Sequence, residues 1–188
     1  MFTAAGGASD QEVHYFDDTE VLTIFRGGSL SWRTQNPGLL GLGMAALDNG
    51  SIGIAQGLPV FPSLEQGRRA LKAWLGGQET AHLTLAGLYR RIDPDWTLPE
   101  TSTPDGGRTS RCPRTGLGGD VLLGRLNPGD IRAIADAVEA HIGLIPGTIL
   151  TRPLSSGEPE SGHAGGDSPR TSGNRNIAIN GRSAVHAG

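Results

Sequence analysis

Trp32, Arg33 and Asn36 fall within one short stretch, Trp32-Arg33-Thr34-Gln35-Asn36-Pro37-Gly38, and each brings a group suited to holding a sugar. The Asn36 amide offers two donors and an acceptor, which match hydroxyls or an N-acetyl group. The Trp32 ring can stack on a sugar face, and Arg33 supplies a fork of donors. Carboxylates lie upstream at Glu12, Asp17, Asp18 and Glu20, and downstream at Asp48. Cleaving a glycosidic bond needs a carboxylic acid to protonate the leaving oxygen, plus a second carboxylate or a positioned water. The acid works best in a partly apolar pocket that raises its pKa toward the working pH. The same residues also have a structural reading. Asn36-Pro37-Gly38 makes a turn, Trp32 packs inward, and the acidic residues before Val21 are solvated turn carboxylates.

Other chemistries find less support. Five histidines are scattered without ligand spacing and the chain holds one cysteine, Cys112, so neither a zinc site nor a disulfide framework is expected. Cys112 lies beside Pro113 and has no clear histidine partner, so a thiol-dependent amidase is set aside. A net charge of -3 gives no basis for nucleic-acid binding. No apolar run approaches the length of a membrane span. The opening Met1-Phe2-Thr3-Ala4-Ala5-Gly6-Gly7 has neither the basic segment nor the apolar stretch of a secretory signal. The expectation is a protein made in the cytoplasm and carried out by a dedicated machine or by lysis.

The elements that must position these residues are legible in part. Tyr15-Phe16, a polar Asp17-Asp18-Thr19-Glu20 turn and Val21 to Phe25 predict a hairpin or two short strands. Gly27 to Pro59 is glycine-rich and predicts a loop with at most one short helical turn. Ser63, with Gln66 three residues later, predicts a boxed helix start, and Leu64, Leu71, Trp74 and Leu75 share one face of that helix before Gly76-Gly77. Thr84 starts a second helix, stopped at Asp93-Pro94. Asn127-Pro128 starts a third, closed by Gly143. Thr97 to Gly119 shows no periodicity and is expected to be a long loop. All nine aromatic residues lie at or before Trp96, which places the main core in the first hundred residues.

Gly27-Gly28 followed by Trp32-Arg33 and Asn36-Pro37-Gly38, then Gly50-Ser51-Ile52-Gly53, then Val60-Phe61-Pro62-Ser63-Leu64-Glu65-Gln66-Gly67, resembles a family of small lysozyme-like modules. These occur in phage structural proteins and lysins, and in effectors and spike extensions of type VI secretion systems. Thr115-Gly116-Leu117 matches a later T-G-L of the family, and the resemblance covers about Tyr15 to Ile149. It departs at polar positions. Thr34-Gln35-Asn36 replaces a triple asparagine, Leu39 replaces an asparagine, and Ile142-Gly143-Leu144 stands where the family has E-G-W.

The resemblance implies a mainly α (α+β) lysozyme-like domain over residues 11–150 with a small β element near its start. A flexible opening over 1–10 and a disordered tail over 151–188 complete the expected organisation. It implies peptidoglycan glycan strands as substrate and no cofactor. The implied partners are an immunity protein or a structural component of a secretion or phage assembly, with delivery to a target periplasm or carriage in a phage particle. By analogy with lysozyme-like folds, Glu20 is the first choice of acid, Asp18 the second and Asp48 the third, with Trp32, Arg33 and Asn36 binding substrate. Glu65 matches an acidic family position, and it is equally explained as a favourable charge in the first turn of a helix. Polar positions have changed while Gly, Pro and apolar ones remain. Two functions therefore stay open: a glycosidase, or a non-catalytic wall-binding or structural module.

Overall fold

The computed structural model describes residues 1–102 and 108–154. The tail expected over 151–188 lies outside the described residues beyond Leu154, as do Ile177-Ala178-Ile179 and Gly106-Gly107. The first strands are β1 (Phe2–Ser9), β2 (Glu12–Asp17) and β3 (Val21–Arg26). Two short helices follow, α1 (Leu30–Arg33) and α2 (Met44–Asp48), and then β4 (Gly53–Ala55) and β5 (Leu58–Val60). The longer helices are α3 (Leu64–Leu75), α4 (Leu85–Ile92) and α5 (Pro128–Ile142). A small hairpin, β6 (Glu100–Ser102) with β7 (Arg108–Ser110), lies before α5, and β8 (Thr148–Pro153) comes last.

This arrangement overturns the expectation of a mainly helical, lysozyme-like domain. The protein is mixed α/β, built on a six-stranded sheet ordered β5-β4-β1-β2-β3-β8. Of the described residues 32% are helical and 28% are strand, so the β part is no minor element. The sheet is antiparallel except where β1 runs parallel to β4. Residues 1–10, expected to be flexible, form a central strand instead. Alanine and glycine in β1 give no strand signal in sequence, yet their smallness suits the position. A Cβ at Gly53 would stand 1.8 Å from the Ala5 carbonyl oxygen, so β4 can lie against β1 only with glycine there. Likewise the expected body ended at 150, whereas β8 pairs with β3 as far as Pro153, and the Leu154 N–H donates to the Glu20 carbonyl at 2.7 Å.

The sheet buries Val13, Tyr15, Phe25, Ala55 and Val60 on one face. Alternation along β2 sends Val13 and Tyr15 inward and leaves His14 and Phe16 partly exposed. Phe2, Tyr15, Phe25 and Trp32 form a chain of tilted rings with centroids 4.7–4.9 Å apart. The helices build a second core, in which Leu71, Leu75, Leu88, Tyr89, Ile134 and Val138 are fully buried.

The three long helices begin and end where their capping residues predict. The Thr84 hydroxyl accepts from Gly87 N–H at 3.1 Å, and Asn127 and Asp130 form a reciprocal box. At α3 only half of the expected box forms: the Ser63 hydroxyl accepts from Gln66 N–H at 3.3 Å without a return bond from the glutamine. The end of α5 is fixed to the end of α4 by His141, whose Nε2 lies 2.8 Å from the Asp93 carboxylate and whose ring stacks on Trp96 at 3.6 Å. That histidine bond, with a second from the Asp95 N–H, holds the Asp93 carboxyl below its usual range. The supposed loop over 97–119 contains the β6–β7 hairpin.

A chain cut after Leu154 is expected to melt within a degree or so of the full protein, since residues 155–188 contain no aromatic and little apolar surface. Cutting after Gly147 removes β8 and should lower the melting temperature by roughly 5 °C or more, because β3 loses an entire antiparallel partner. Thermal melts of the two truncations decide this. Equal melting of both would show that β8 adds nothing to the sheet.

Candidate functional site

Among the sequence-predicted residues, Arg33 and Asn36 are 4% and 0% exposed and cannot touch a sugar. Arg33 Nη1 donates to the Gly27 and Gly28 carbonyls at 3.1 and 2.7 Å, and Nη2 donates to Asp10 at 3.0 Å. The Tyr15 hydroxyl donates to the Arg33 carbonyl at 2.6 Å, tying this segment to the sheet. Asn36 Nδ2 donates to Leu40 and Pro59 carbonyls, while its Oδ1 accepts from Leu40 N–H at 2.9 Å. Trp32 is half-buried against Phe25. The Trp-Arg…Asn-Pro-Gly stretch is thus a structural knot joining β2, β5, the β1–β2 turn and the residues that follow β3. Buried polar groups generally find partners; here those of the Arg33 Nη atoms and of the Asn36 amide are all backbone, while the buried Arg33 Nε has none.

The predicted acids are not brought together. Glu20 and Asp18 are exposed on the β2–β3 turn, with Glu20 in the left-handed region at φ 56°. The apolar strand that follows Glu20 does not desolvate it. Glu65 is exposed and pairs with Arg69 one turn along α3. Cys112 is fully buried, its sulfur 3.2 Å from the Tyr89 hydroxyl, which leaves no route for a substrate. Of the three candidate acids, Asp48 lines a concave site.

That site is a cleft between α2 with its preceding loop on one side and the ends of α3 and α4 on the other. It has two lobes with volumes of about 320 and 420 Å³, which share Ala45, Trp74 and Glu79 as a common wall. The first lobe is lined by Leu39, Leu40, Leu42, Arg91 and Ile92, and the second by Met44, Asp48, Asn49 and Gly77. Trp74 was expected on the buried stripe of α3. Leu71 and Leu75 do fill the core, but Trp74 stands at its margin, half-exposed, with the Arg91 guanidinium 5.8 Å over its ring.

The local sequence explains how Glu79 is placed. Gly76 and Gly77 end α3, and Thr80, fully buried, donates from its hydroxyl to the Trp74 carbonyl at 2.6 Å. This clamps the Gly76–Thr80 turn, so Glu79 leans across the cleft toward Gly43. A Cβ at Gly43 would stand 3.6 and 3.7 Å from the two Glu79 carboxylate oxygens. On the opposite wall, Asn49 Nδ2 donates to the Ala45 carbonyl at 2.8 Å and closes α2 beside Asp48. The cleft therefore presents an aromatic ring, a carboxylate and a guanidinium from three helices, with a second carboxylate, Glu79, on a firmly held turn. Exposed Leu42 and Met44 add apolar surface to its lining.

Sequence reasoning passed over Glu79 because Gly76-Gly77 was read only as a helix stop. An acid just past paired glycines, beside a tryptophan on the last turn of a helix, was the available signal. Among the described residues no group of His, Cys, Asp and Glu could hold a metal ion, and no helix is long and apolar enough to cross a membrane. No protein-family model matches the chain, and neither a curated protein nor a solved structure matches it.

Proposed function

We propose that the protein acts on the glycan strands of peptidoglycan, seating a strand in the Trp74 cleft and cutting it with Glu79 as proton donor and Asp48 as the second carboxylate. One observation carries this reading: Trp74 and Glu79 line two adjoining lobes and Asp48 lines the second of them, which puts beside one aromatic ring the pair of carboxylic acids that glycoside hydrolysis uses. The order of motifs from Gly27 to Gly67, which resembles peptidoglycan-acting modules, supports the same substrate. In the reaction Glu79 gives its proton to the glycosidic oxygen as the bond from the anomeric carbon breaks. Asp48 takes a proton from the water that attacks that carbon, and the remaining hydroxyl becomes the new reducing end. A strand lying over Trp74 displaces water from both carboxylates, the condition under which an acid of this kind works. Delivery by a phage particle or a type VI secretion machine, with an immunity protein protecting the producer, belongs to the same proposal.

A second reading, a wall-binding module without catalysis, is favoured by one fact. Both Asp48 and Glu79 are exposed in the free protein. Incubating the full chain with purified sacculi separates the two. Soluble fragments with new reducing ends support cleavage, and co-sedimentation without release supports binding alone. Trp74→Ala should weaken sedimentation roughly tenfold through lost stacking. Neither release nor sedimentation by the wild-type chain would overturn both readings.

A further inference from the structure

Arg91 is the arginine that lines the cleft. Arg26, Arg68, Arg69 and Arg108 each pair with a glutamate. Like several other arginines of this protein, Arg91 has no carboxylate partner among the described residues. It is held instead by the face of Trp74, and it lines the first lobe together with leucine and isoleucine side chains. A cation over an aromatic face is oriented without using its N–H groups. The guanidinium fork thus stays free to grip a planar anion with two parallel bonds, and the apolar wall strengthens such a contact. Glu79 shares the first lobe with Arg91 and Asp48 lines the second, so that the cleft admits an isolated carboxylate at Arg91 while its acidic charge opposes a polyanion.

Resting on the glycan reading above, we infer that Arg91 makes the first lobe a subsite for a sugar unit bearing a carboxylate, while the second lobe takes a neutral N-acetylated sugar. In peptidoglycan the carboxylate has two sources, the lactyl ether of muramic acid once its peptide is removed, and the stem peptide itself. The strand then lies with its carboxylate-bearing unit at Arg91 and its neutral unit beside Asp48.

Binding of the full chain to three probes tests this: glycan strands stripped of peptide, strands carrying stem peptides, and chito-oligosaccharides, which have no carboxylate. Wild type should bind at least one carboxylate-bearing strand about tenfold more tightly than the chito-oligosaccharide, the range of a charge-assisted contact. Arg91→Ala should lose that preference while binding chito-oligosaccharides as before, and Arg91→Lys should keep part of it. Preference for stripped strands assigns the lactyl group, and preference for stem-bearing strands assigns the peptide. Equal binding of all three probes by wild type would overturn the subsite and leave the glycan reading standing. An equal loss toward all three in Arg91→Ala, with unchanged melting, would reduce Arg91 to a general support of Trp74 and also overturn it. Binding of none would overturn the glycan reading and the subsite together.

Discussion

Glu79→Gln is expected to cut the release of reducing ends from sacculi by about a hundredfold or more, with sedimentation and melting temperature nearly unchanged. Removing a positioned general acid typically costs that much in rate, and glutamine keeps the shape and the hydrogen-bonding reach of the side chain. Stability should hold because the Gly76–Thr80 turn is fixed by the Thr80 hydroxyl and not by the glutamate. Asp48→Asn should also impair release, since the attacking water loses its base. Glu20→Gln and Asp18→Asn serve as controls and should behave as wild type, because both residues stand on the β2–β3 turn and neither lines the cleft. Fragment analysis of digests at matched protein concentration gives the readout. Full activity in Glu79→Gln would remove the cleft from the chemistry, and loss of activity in Glu20→Gln would return the reaction to the turn.

The largest effect on stability is expected at Gly67. In an ordinary helix interior, glycine to alanine stabilises by about 1 kcal/mol. At this position α3 crosses the Gln35–Pro37 segment so closely that a Cβ would stand 2.0 Å from the Gln35 carbonyl oxygen and 2.8 Å from Pro37 Cδ. Both neighbours are held: Asn36 between them makes three buried hydrogen bonds, so the segment cannot retreat without breaking them. Overpacking of this kind costs about 1–3 kcal/mol and more where the obstacle is backbone. The clash therefore outweighs the propensity gain, and Gly67→Ala should destabilise by about 3 kcal/mol. Urea unfolding would show a lower midpoint with an unchanged slope. A midpoint at or above wild type would mean that α3 and the segment can separate, and that the fixed wall of the cleft is not fixed.

What the sequence disclosed followed from the range of the forces involved. The caps at Thr84 and Asn127, the β2–β3 hairpin and the glycine ends of α3 and α5 are local, and local residue types determine them. The sheet as a whole is not local. β1 is shaped by neighbours about ten and fifty residues away in sequence, and its alanines and glycines are chosen for close approach instead of strand preference. That is why a mixed α/β protein reads as mainly helical. The site was misread for a related reason. Trp32-Arg33 and Asn36-Pro37-Gly38 are polar and distinctive, which suits a binding loop, but the same groups can satisfy buried backbone, and burial decided between the two. Leu39, where the resembling family has asparagine, sits in the left-handed region at φ 44°, a conformation that asparagine tolerates better than leucine. The Leu39 side chain lines the first lobe of the cleft.

Each outermost strand of the sheet contains a proline, Pro59 in β5 and Pro153 in β8. A proline has no N–H to offer an incoming strand, which confines it to such borders. The border at β5 is further occupied, because Thr34 and Asn36 bond to Phe61 and Pro59 across it. On the other border, β8 places a charged Arg152 next to its proline. Open strand edges invite molecule-to-molecule zippering and aggregation, and charge or proline at the edge discourages both. For a protein whose first and last described strands lie in one sheet, these two borders keep separate copies from joining into a continuous ribbon at high concentration.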